Sequence, residues 1–566
     1  MKIRIYIRSI VLGTMLSFSC GLYAQEAESE WFSSGKKAYT EDDYELAKSM
    51  FDRELQRDKT NGMAWLYLAA VYRDTQETDS IVYAANQAIR YLPKEKGEEL
   101  SQAYIMRGTG RLVNEDHDGA IDDFERAKEM DPFQSACYMY EAFALDQKGE
   151  RDEATRQLQE MIKVPGSDKS GGMGVLSTRL MESDPQKAME YIDKAIELDR
   201  TNAEYYVQRG KLKIQAGQKQ EGVNDIVHAF SLDVSSNNME EVSSLAEEDD
   251  MRQMVMAAIE RERVTHGDQT VWEHLLAEVY EKSNDETEAL RHAIRAARIS
   301  PTPQLLIKLA RRLDSNNMNE EATFVAREAF AKTDHENGGS VYENAFTQLM
   351  DSEMSALHLE QAVADMKQYI EEGKDTDPAN TVILAVCQYY AGQNEDALAT
   401  MENLSEDYKT ANEVLLLRGK IMRDCGMSNE ACELFQTVAA DEDASLFIRV
   451  QGYALAGDKD NAGKLYKEWL EEHTQEDDSM SASDYFKQAT MLTDLGDRAM
   501  AVDCLRRCME NSKPMRPQIE LDEDFRPLHG YADYEKLISE YRKRDEHDTA
   551  PLRQVLTEEW PEMFKK

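Results

Sequence analysis

The sequence predicts an all-α chain built from repeated helical hairpins. Apolar and small residues recur with a period of 34 residues, and the series Ala120, Phe124 and Ala127 returns in each of the next three units. The corresponding residues are Ala154, Leu158 and Met161, then Ala188, Ile192 and Ala195, then Gly222, Ile226 and Ala229. The chain has 566 residues but only 28 glycines and 12 prolines, which favours helices over strands and turns. A fixed period over this length indicates a repeat array rather than one compact core.

A second row of residues keeps the same register in the preceding helix. Tyr104, Tyr138 and Tyr206 are each followed four residues later by a small residue. Because glycine adopts the left-handed conformation at little cost, a glycine five residues before the second-helix Ala or Gly is expected to end the first helix. Six glycines occupy that place: Gly149, Gly217, Gly392, Gly426, Gly457 and Gly496. Three prolines close their units, where proline can start the next helix: Pro93, Pro132 and Pro301.

Together these features resemble the tetratricopeptide repeat (TPR) family. That repeat has an aromatic and a small residue in the first helix, a glycine turn, A-x3-F-x2-A in the second helix and a closing proline. Residues 104–132 and 65–93 match it best, and further units are centred on 31–51, 277–301, 310–329, 385–401, 419–435, 462–466 and 489–505. The resemblance implies a right-handed α-solenoid of about a dozen hairpins with a C-terminal helical cap. It also implies that proteins or peptides bind in a concave groove lined by the first helices.

Departures from the repeat predict the domain organisation. The segments are a signal peptide (1–24), an N-terminal array (25–233), an irregular helical region (234–378), a C-terminal array (379–512) and a cap with a tail (513–566). Residues 166–182 are interpreted as a degraded first helix, and residues 170–174 (SGGMG) as a flexible loop.

Apolar residues near the end of the sequence resemble a segment that often closes TPR arrays, and we expect them to cover the last hairpin. They are Leu521, Phe525, Leu528, Tyr534 and Leu537. Two alternatives stay open for the tail from residue 545, which contains Leu552, Val555, Leu556, Trp560 and Phe564. It folds back on the array, or it is a docking segment.

The first residues predict export. An apolar core, residues 10–18, follows three basic residues, Lys2, Arg4 and Arg8. The core is too short to span a bilayer, so we interpret it as a signal peptide cleaved after Ala24. The alternative is lipoprotein processing at Cys20, although the residues before it fit such a site poorly. Either route places the protein in the periplasm or elsewhere in the cell envelope, in a Gram-negative bacterium.

The net charge of the chain limits the classes of partner that it can bind. The formal net charge is −43, and loss of the three basic residues of the signal peptide would make it −46. Such a chain repels nucleic-acid phosphates and anionic lipid surfaces. We therefore expect protein or peptide partners, no nucleic acid, and no membrane insertion apart from a possible lipid anchor at Cys20. Six further cysteines are too few for a disulfide framework; for Cys425 and Cys432, apolar packing and a bridge across a turn both stay open.

No motif for catalysis or cofactor binding is present in the sequence. It has no H-E-x-x-H, G-x-S-x-G or P-loop motif, and its ten histidines are scattered. The acidic runs at 247–250 and 441–443 lack the alternating order of a calcium loop. We therefore expect no enzymatic activity, no metal and no cofactor.

The remaining candidates for a functional site lie on the first helices. Projection of the TPR register gives one row formed by Phe32, Leu66, Ile105, Met139 and Val207. A second row contains Lys36, Phe143 and Lys211, and the C-terminal array offers Tyr389, Tyr390, Lys420 and Arg423. The apolar row either contacts a partner or packs against the neighbouring hairpin. The Lys and Asn pattern of a two-carboxylate clamp is absent from these rows.

These observations predict a scaffold or adaptor of the bacterial cell envelope that recruits partner proteins and performs no chemistry. One alternative is a lipid-anchored assembly factor of an outer-membrane or secretion complex, which requires modification of Cys20. Another is an enzyme with an active site in the irregular region, residues 234–378. The sequence predicts neither the identity of the partner nor an oligomeric state.

Overall fold

The computed structural model describes residues 29–265, 269–333, 339–373, 377–474, 480–511, 519–520 and 522–564. These residues form 31 α-helices and two short 3₁₀ segments, with no strand among them. The predicted all-α class is therefore confirmed. The signal peptide and Cys20 lie outside the described residues. The chain divides into two compact parts, residues 1–242 (unit 1) and 243–566 (unit 2), and the division falls within one helix, Ser236–Ser244.

Unit 1 consists of six consecutive hairpins. Within each hairpin the two helices pack closely on one another, and the extensive contacts of each hairpin are with its neighbours along the chain. The helices are α1 (Glu30–Thr40), α2 (Tyr44–Arg57), α3 (Gly62–Asp74), α4 (Thr78–Tyr91), α5 (Gly97–Val113), α6 (His117–Met130), α7 (Ser135–Gln147), α8 (Arg151–Met161), α9 (Lys169–Leu180), α10 (Pro185–Leu198), α11 (Ala203–Gln215) and α12 (Lys219–Leu232). Helix α13 (Ser236–Ser244) contains the division.

The first part of unit 2 continues with helical pairs through the region that the sequence marks as irregular. A 3₁₀ segment, Leu245–Glu247, leads into the helices. They are α14 (Asp249–Thr265), α15 (Gln269–Lys282), α16 (Glu286–Ile299), α17 (Pro303–Ser315), α18 (Asn319–Ala331), α19 (Gly339–Ser355) and α20 (Leu359–Gly373).

The second part of unit 2 contains the C-terminal array and the closing helices. The array comprises α21 (Pro378–Tyr390), α22 (Asn394–Met401), α23 (Glu406–Lys409), α24 (Asn412–Asp424), α25 (Ser428–Ala440), α26 (Leu446–Leu455), α27 (Lys459–His473), α28 (Ala482–Leu495) and α29 (Arg498–Asn511). A 3₁₀ segment, Glu523–Leu528, then precedes the long α30 (Ala532–Glu559) and the short α31 (Pro561–Phe564).

Glycine ends the first helix of a hairpin where the sequence predicts it. All six glycines have φ between +75° and +91°, the left-handed region in which an L side chain is strained. After two of the six glycines an aspartate then caps the second helix: Asp458 accepts a hydrogen bond from the Asn461 amide, and Asp497 accepts one from the Met500 amide. The turn and the cap together fix the point at which the chain reverses.

Small residues let the two helices of a hairpin approach closely. Phe124 of α6 is fully buried against Gly108 of α5, and a Cβ atom at Gly108 would lie 2.6 Å from the ring. Gly35 faces Phe51 in the same way. An aromatic ring therefore fills the space that a missing side chain opens.

The prediction of a flexible loop at residues 170–174 is wrong. These residues lie in α9, whose first turn is capped by the Asp168 carboxylate, which accepts from the Gly171 amide. The glycines serve packing rather than flexibility: a Cβ atom at Gly172 would lie 2.5 Å from Met161, and one at Gly174 would lie 2.8 Å from Tyr205. Tertiary contacts therefore override the low intrinsic helix propensity of glycine.

The end of the described chain packs on two parts of unit 2. Near its start, α30 buries Tyr534 and Leu537 in a cluster with α28 and α29. Near its end, Leu552, Val555 and Leu556 enter the core that α16 to α19 form. The tail therefore folds back on the array, the first of the two alternatives.

Candidate functional site

The apolar row predicted on the first helices of unit 1 is mostly part of the core. Phe32, Leu66, Ile105 and Val207 are all buried in hydrophobic clusters between neighbouring hairpins. Of the two alternatives for this row, the structure shows inter-hairpin packing at these four positions. None of the four presents a side chain to a partner without movement of its surroundings.

Met139 and Phe143 occupy a different position from the rest of their rows. Both lie on α7 and are only partly buried, and both pack on the cluster that contains Phe124 and Tyr140. They are four residues apart, so their side chains lie on the same side of the helix. These two residues remain the apolar candidates for contact with a partner in unit 1.

The two lysines of the second row are engaged within unit 1. The Lys36 ammonium lies 5.2 Å from the centre of the Phe32 ring. Lys211 on α11 forms an ion pair with Glu241 on α13 at 2.6 Å. Both lysines remain partly accessible to solvent. A solvent-exposed ion pair such as Lys211–Glu241 contributes little to stability.

A polar network lies one helical turn beyond the two rows that were projected from the sequence, on the same face of the first helices. Neither row includes its residues. The Arg73 guanidinium pairs with Asp74 at 2.7 Å and also donates to the Tyr39 hydroxyl, which in turn donates to Asp74. Burial raises the pKa of Tyr39 above its usual value. An extension of the projected rows by one turn would have included Arg73 and Asp74.

The corresponding first-helix side of unit 2 carries the other predicted residues. We define the C-terminal face by Tyr389 on α21, Lys420 and Asp424 on α24, and Gln451 on α26. The Tyr389 hydroxyl donates to Asp424 at 2.8 Å, and the Lys420 ammonium lies 3.5 Å from the Gln451 side-chain oxygen. Tyr389, Lys420 and Gln451 are buried. Arg423 is exposed and lies over the Phe435 ring, while Tyr390 is only partly buried.

A segment of the chain itself lies on the C-terminal face. We call residues 522–528 the cap segment. Its Asp524 pairs with Lys420, and both side chains are almost inaccessible, at 12% and 8% of their areas. Its Arg526 pairs with Asp424 at 3.2 Å and stacks 4.6 Å from the centre of the Tyr389 ring. Tyr389 and Lys420 therefore both contact one peptide segment, whereas Arg423 lies over Phe435 and Tyr390 lies beside Tyr389.

Apolar anchors hold the cap segment beside these charges. Phe525 and Leu528 are fully buried in the cluster formed by α28, α29 and α30. The Phe525 ring meets Phe486 edge to face, with 5.2 Å between ring centres. Their predicted role in covering the last hairpin matches this position, whereas Leu521 lies outside the described residues.

A carboxylic acid with a raised pKa completes the electrostatics of the C-terminal face. Asp494 on α28 is partly buried, with its Oδ2 atom inaccessible to solvent, and its pKa lies well above the usual value because burial disfavours the charged form and the Asp524 carboxylate repels it. Lys420 and Arg423 oppose this effect. No sequence motif pointed to Asp494, since a single aspartate in an acidic chain carries no signal.

The described residues offer little for other kinds of site. They contain no group of three or more His, Cys, Asp or Glu side chains placed to hold a metal ion. The six cysteines in the described ranges, Cys425 and Cys432 included, are free thiols. Within the same ranges, no helix combines the length and the apolar character needed to cross a bilayer.

No protein-family model matches the chain, and no curated protein matches it. Solved structures do match. The C-terminal part of a TPR repeat-containing protein from Cytophaga hutchinsonii is 13% identical, covers 48% of this chain and 96% of its own, and has a TM-score of 0.32. A TPR protein from Parabacteroides merdae is 11% identical, with coverage of 48% and 92% and a TM-score of 0.30. YrrB, a TPR protein with an unusual peptide-binding site, is 15% identical, with coverage of 33% and 94% and a TM-score of 0.27.

The packing within the chain defines its class. Hairpins repeat with glycine turns in the left-handed conformation, and small residues of the first helix receive large side chains of the second. The described residues therefore form an all-α array of helical hairpins, the fold class that the sequence predicts.

Proposed function

We propose that the protein is a non-enzymatic scaffold of the bacterial cell envelope, which binds proteins or peptides on its first-helix faces. The main support for the proposal comes from the C-terminal face. There a short segment of the chain contacts first helices through two ion pairs and a stacked arginine. Arrays of helical hairpins offer such faces for extended peptides. A face that holds one segment of its own chain has the chemistry to hold a segment of another.

In unit 1, the corresponding contact surface is centred on Met139 and Phe143. Both side chains are partly exposed and both rest on a rigid core cluster, so binding would require little ordering of either residue. Large apolar side chains on a preformed surface are typical anchors of protein interfaces.

Replacement of both anchors tests the proposal. The double variant Met139→Ser, Phe143→Ser should reduce partner affinity by at least about 30-fold, because truncation of one central anchor costs on the order of 2 kcal/mol. Affinity capture from envelope extracts, quantified by mass spectrometry, measures the effect. Helicity and thermal midpoint should stay close to those of the parent protein.

A phenylalanine just before α7 provides a matched control. Phe133 precedes α7 and is 66% exposed, so Phe133→Ser removes an equally large side chain away from the first-helix face. This variant should capture partners normally. Full capture by a well-folded double variant would contradict the role of α7, and loss of the fold would assign Met139 and Phe143 to the core.

For localisation, we propose soluble release into the periplasm after cleavage behind Ala24. The second candidate is a lipid-anchored assembly factor of an outer-membrane or secretion complex, which the cysteine at position 20 supports. Metabolic labelling with a lipid precursor separates the two. Label that is incorporated by the parent protein and lost in Cys20→Ser would establish the anchored form, and absence of label in both supports the released form.

A further inference from the structure

The cap segment contacts the C-terminal face through two pairs of opposite charges. Lys420 and Asp424 are four residues apart on α24, so both project from one side of that helix. The cap segment presents the opposite signs in the same order: Asp524 meets Lys420, and two residues later Arg526 meets Asp424. The intervening Phe525 points to Phe486 on α28. Charge order and spacing therefore fix the register of the segment on the face.

The environment of these charges makes the match selective. The Lys420 and Asp524 side chains are almost inaccessible to water. A buried ammonium is strongly unfavourable without an opposing carboxylate, so the Asp524 carboxylate stabilises Lys420 at this point. Arg526 adds a hydrogen bond to the Tyr389 carbonyl and a stacking contact with its ring, neither of which lysine would reproduce as well.

We propose that residues 522–528 are an internal ligand of the C-terminal face. We further propose that the partner recognised there is a peptide in which arginine follows aspartate by two residues, so that the two charges meet Lys420 and Asp424. This inference rests on the proposed function and specifies its partner for unit 2. Because the internal ligand is tethered, it competes at an effective concentration on the order of millimolar. An outside peptide therefore binds weakly until the cap segment leaves the face.

The contacts of the cap segment divide into two sets, which allows a test in the intact chain. Phe525 and Leu528 belong to the core of α28, α29 and α30, whereas Asp524 and Arg526 belong to the C-terminal face. The variant Asp524→Lys, Arg526→Glu keeps both apolar anchors and places like charges opposite each other at both points. The side chains at positions 524 and 526 should then turn away from Lys420 and Asp424, while Phe525 and Leu528 stay anchored.

The probe is a fluorescently labelled synthetic peptide with the sequence of residues 519–530, added to the full-length protein. Fluorescence anisotropy should show binding at least about 10-fold tighter to the double variant than to the parent protein, because the tethered competitor is removed. Addition of Lys420→Asp should abolish this binding, because the aspartate of the peptide would then meet a carboxylate instead of an ammonium.

A lysine in the same register of unit 1 provides the control. Lys211 follows Gly210 as Lys420 follows Gly419, so Lys211→Asp makes the same change on an equivalent first helix. It should leave peptide binding unchanged. Equal effects of Lys211→Asp and Lys420→Asp would overturn the assignment of the site.

Two further results would overturn the proposal. One is a double variant with normal helicity that binds the peptide no more tightly than the parent protein. If the double variant loses helicity, the milder Arg526→Ala is measured instead, and unchanged affinity for the peptide in that folded variant has the same meaning. Failure of the unit 1 anchors to affect partner capture, with peptide binding as expected, would instead contradict only the proposed role of α7.

Discussion

The residue that ends a first helix carries a conformational strain in some hairpins and not in others. Six hairpins use glycine at this place. Six others place a side chain there, with φ between +56° and +63°: Asp42, Gln76, Glu115, Asn284, Asn317 and Leu357. Asparagine and aspartate tolerate the left-handed region, whereas a bulky residue such as leucine is strained in it.

Leu357→Gly should therefore stabilise unit 2 by about 1 kcal/mol, since it removes the left-handed strain of an L side chain. The Leu357 side chain is 47% exposed, so little apolar burial is lost. Chemical denaturation measures the change in free energy of unfolding. The complementary variant Gly149→Ala should destabilise unit 1 by a similar amount, and destabilisation by Leu357→Gly would contradict the argument.

Six of these turns were visible in the sequence and six were not, for a physical reason. Glycine is visible because few other residues adopt its conformation at low cost. The turn at Leu357 has the same backbone conformation, but leucine is an ordinary helix residue and gives no signal of a turn. There the register follows only from the alanine five residues later, Ala362.

At the scale of elements, α18, α19 and α20 meet at a buried group of charges. Glu353 on α19 is fully buried and pairs with Arg327 on α18, which also pairs with Asp365 on α20 at 2.9 Å. Burial raises the pKa of Glu353 to about 8, and repulsion from Asp365 adds to the effect. The folded unit therefore holds a proton that the unfolded chain releases at the ordinary pKa of glutamate.

This proton makes unit 2 less stable at alkaline pH. Because the folded-state pKa is raised, the contribution is fully present below the unfolded pKa and is lost as pH rises through about 8. The thermal midpoint should therefore fall as pH rises from about 5 to about 8, between the unfolded and folded pKa values of Glu353, and level off above that range. Asp314, whose pKa is raised to about 7 by burial, contributes in the same direction at slightly lower pH.

Glu353→Gln should flatten the decline between about pH 5 and pH 8, because glutamine does not titrate in this range. Glu360→Gln on α20 is the control, since Glu360 is exposed and should leave the pH profile unchanged. Calorimetry at a series of pH values distinguishes the variants. A parallel decline in the parent protein and in Glu353→Gln would show that the pH dependence has another source.

The mistaken loop at residues 170–174 shows why some elements escape a sequence-based prediction. Three glycines in five residues indicate a loop when local propensity is considered alone. The helix forms because Met161 and Tyr205, from two other helices, occupy the space where side chains would have been. Those contacts lie outside any local window of the sequence.

At the scale of the molecule, α30 determines the architecture of unit 2. Its 28 residues extend over roughly 42 Å at 1.5 Å per residue. Its beginning packs on α29 and its end on α16, where Glu559 forms ion pairs with Arg291 and Arg295. Helices from opposite ends of the unit are thereby held by one element, which a simple array of nearest neighbours does not provide.

Leu556→Ala should destabilise unit 2 by about 2–5 kcal/mol, the range typical of a buried leucine. Hydrogen exchange should rise in α16 and in the second half of α30 together, because the two bury each other. Gln554→Ala, an exposed change on the same helix, should have little effect. Faster exchange confined to α30 would contradict the mutual dependence of the two helices.

The large sequence separation between contacting residues limits how much of the candidate site the sequence could predict. Tyr389, Lys420 and Arg423 were found because the repeat register places them on first helices. Their neighbour in the structure, Asp524, is 104 residues from Lys420 along the chain. No periodicity connects the two, so the occupant of the C-terminal face could be seen only in three dimensions.

The contact between α16 and α30 also determines how late in protein synthesis unit 2 can complete its folding. Arg295 and its partner Glu559 are separated by 264 residues. At typical elongation rates, the ribosome needs roughly 13 to 53 s to add that many. Throughout this interval the nascent chain presents the apolar surface of α16 without its cover, which is a surface for holding chaperones to occupy. Maturation of unit 2 must therefore wait for translation of residues 552–559, however early its first hairpins emerge.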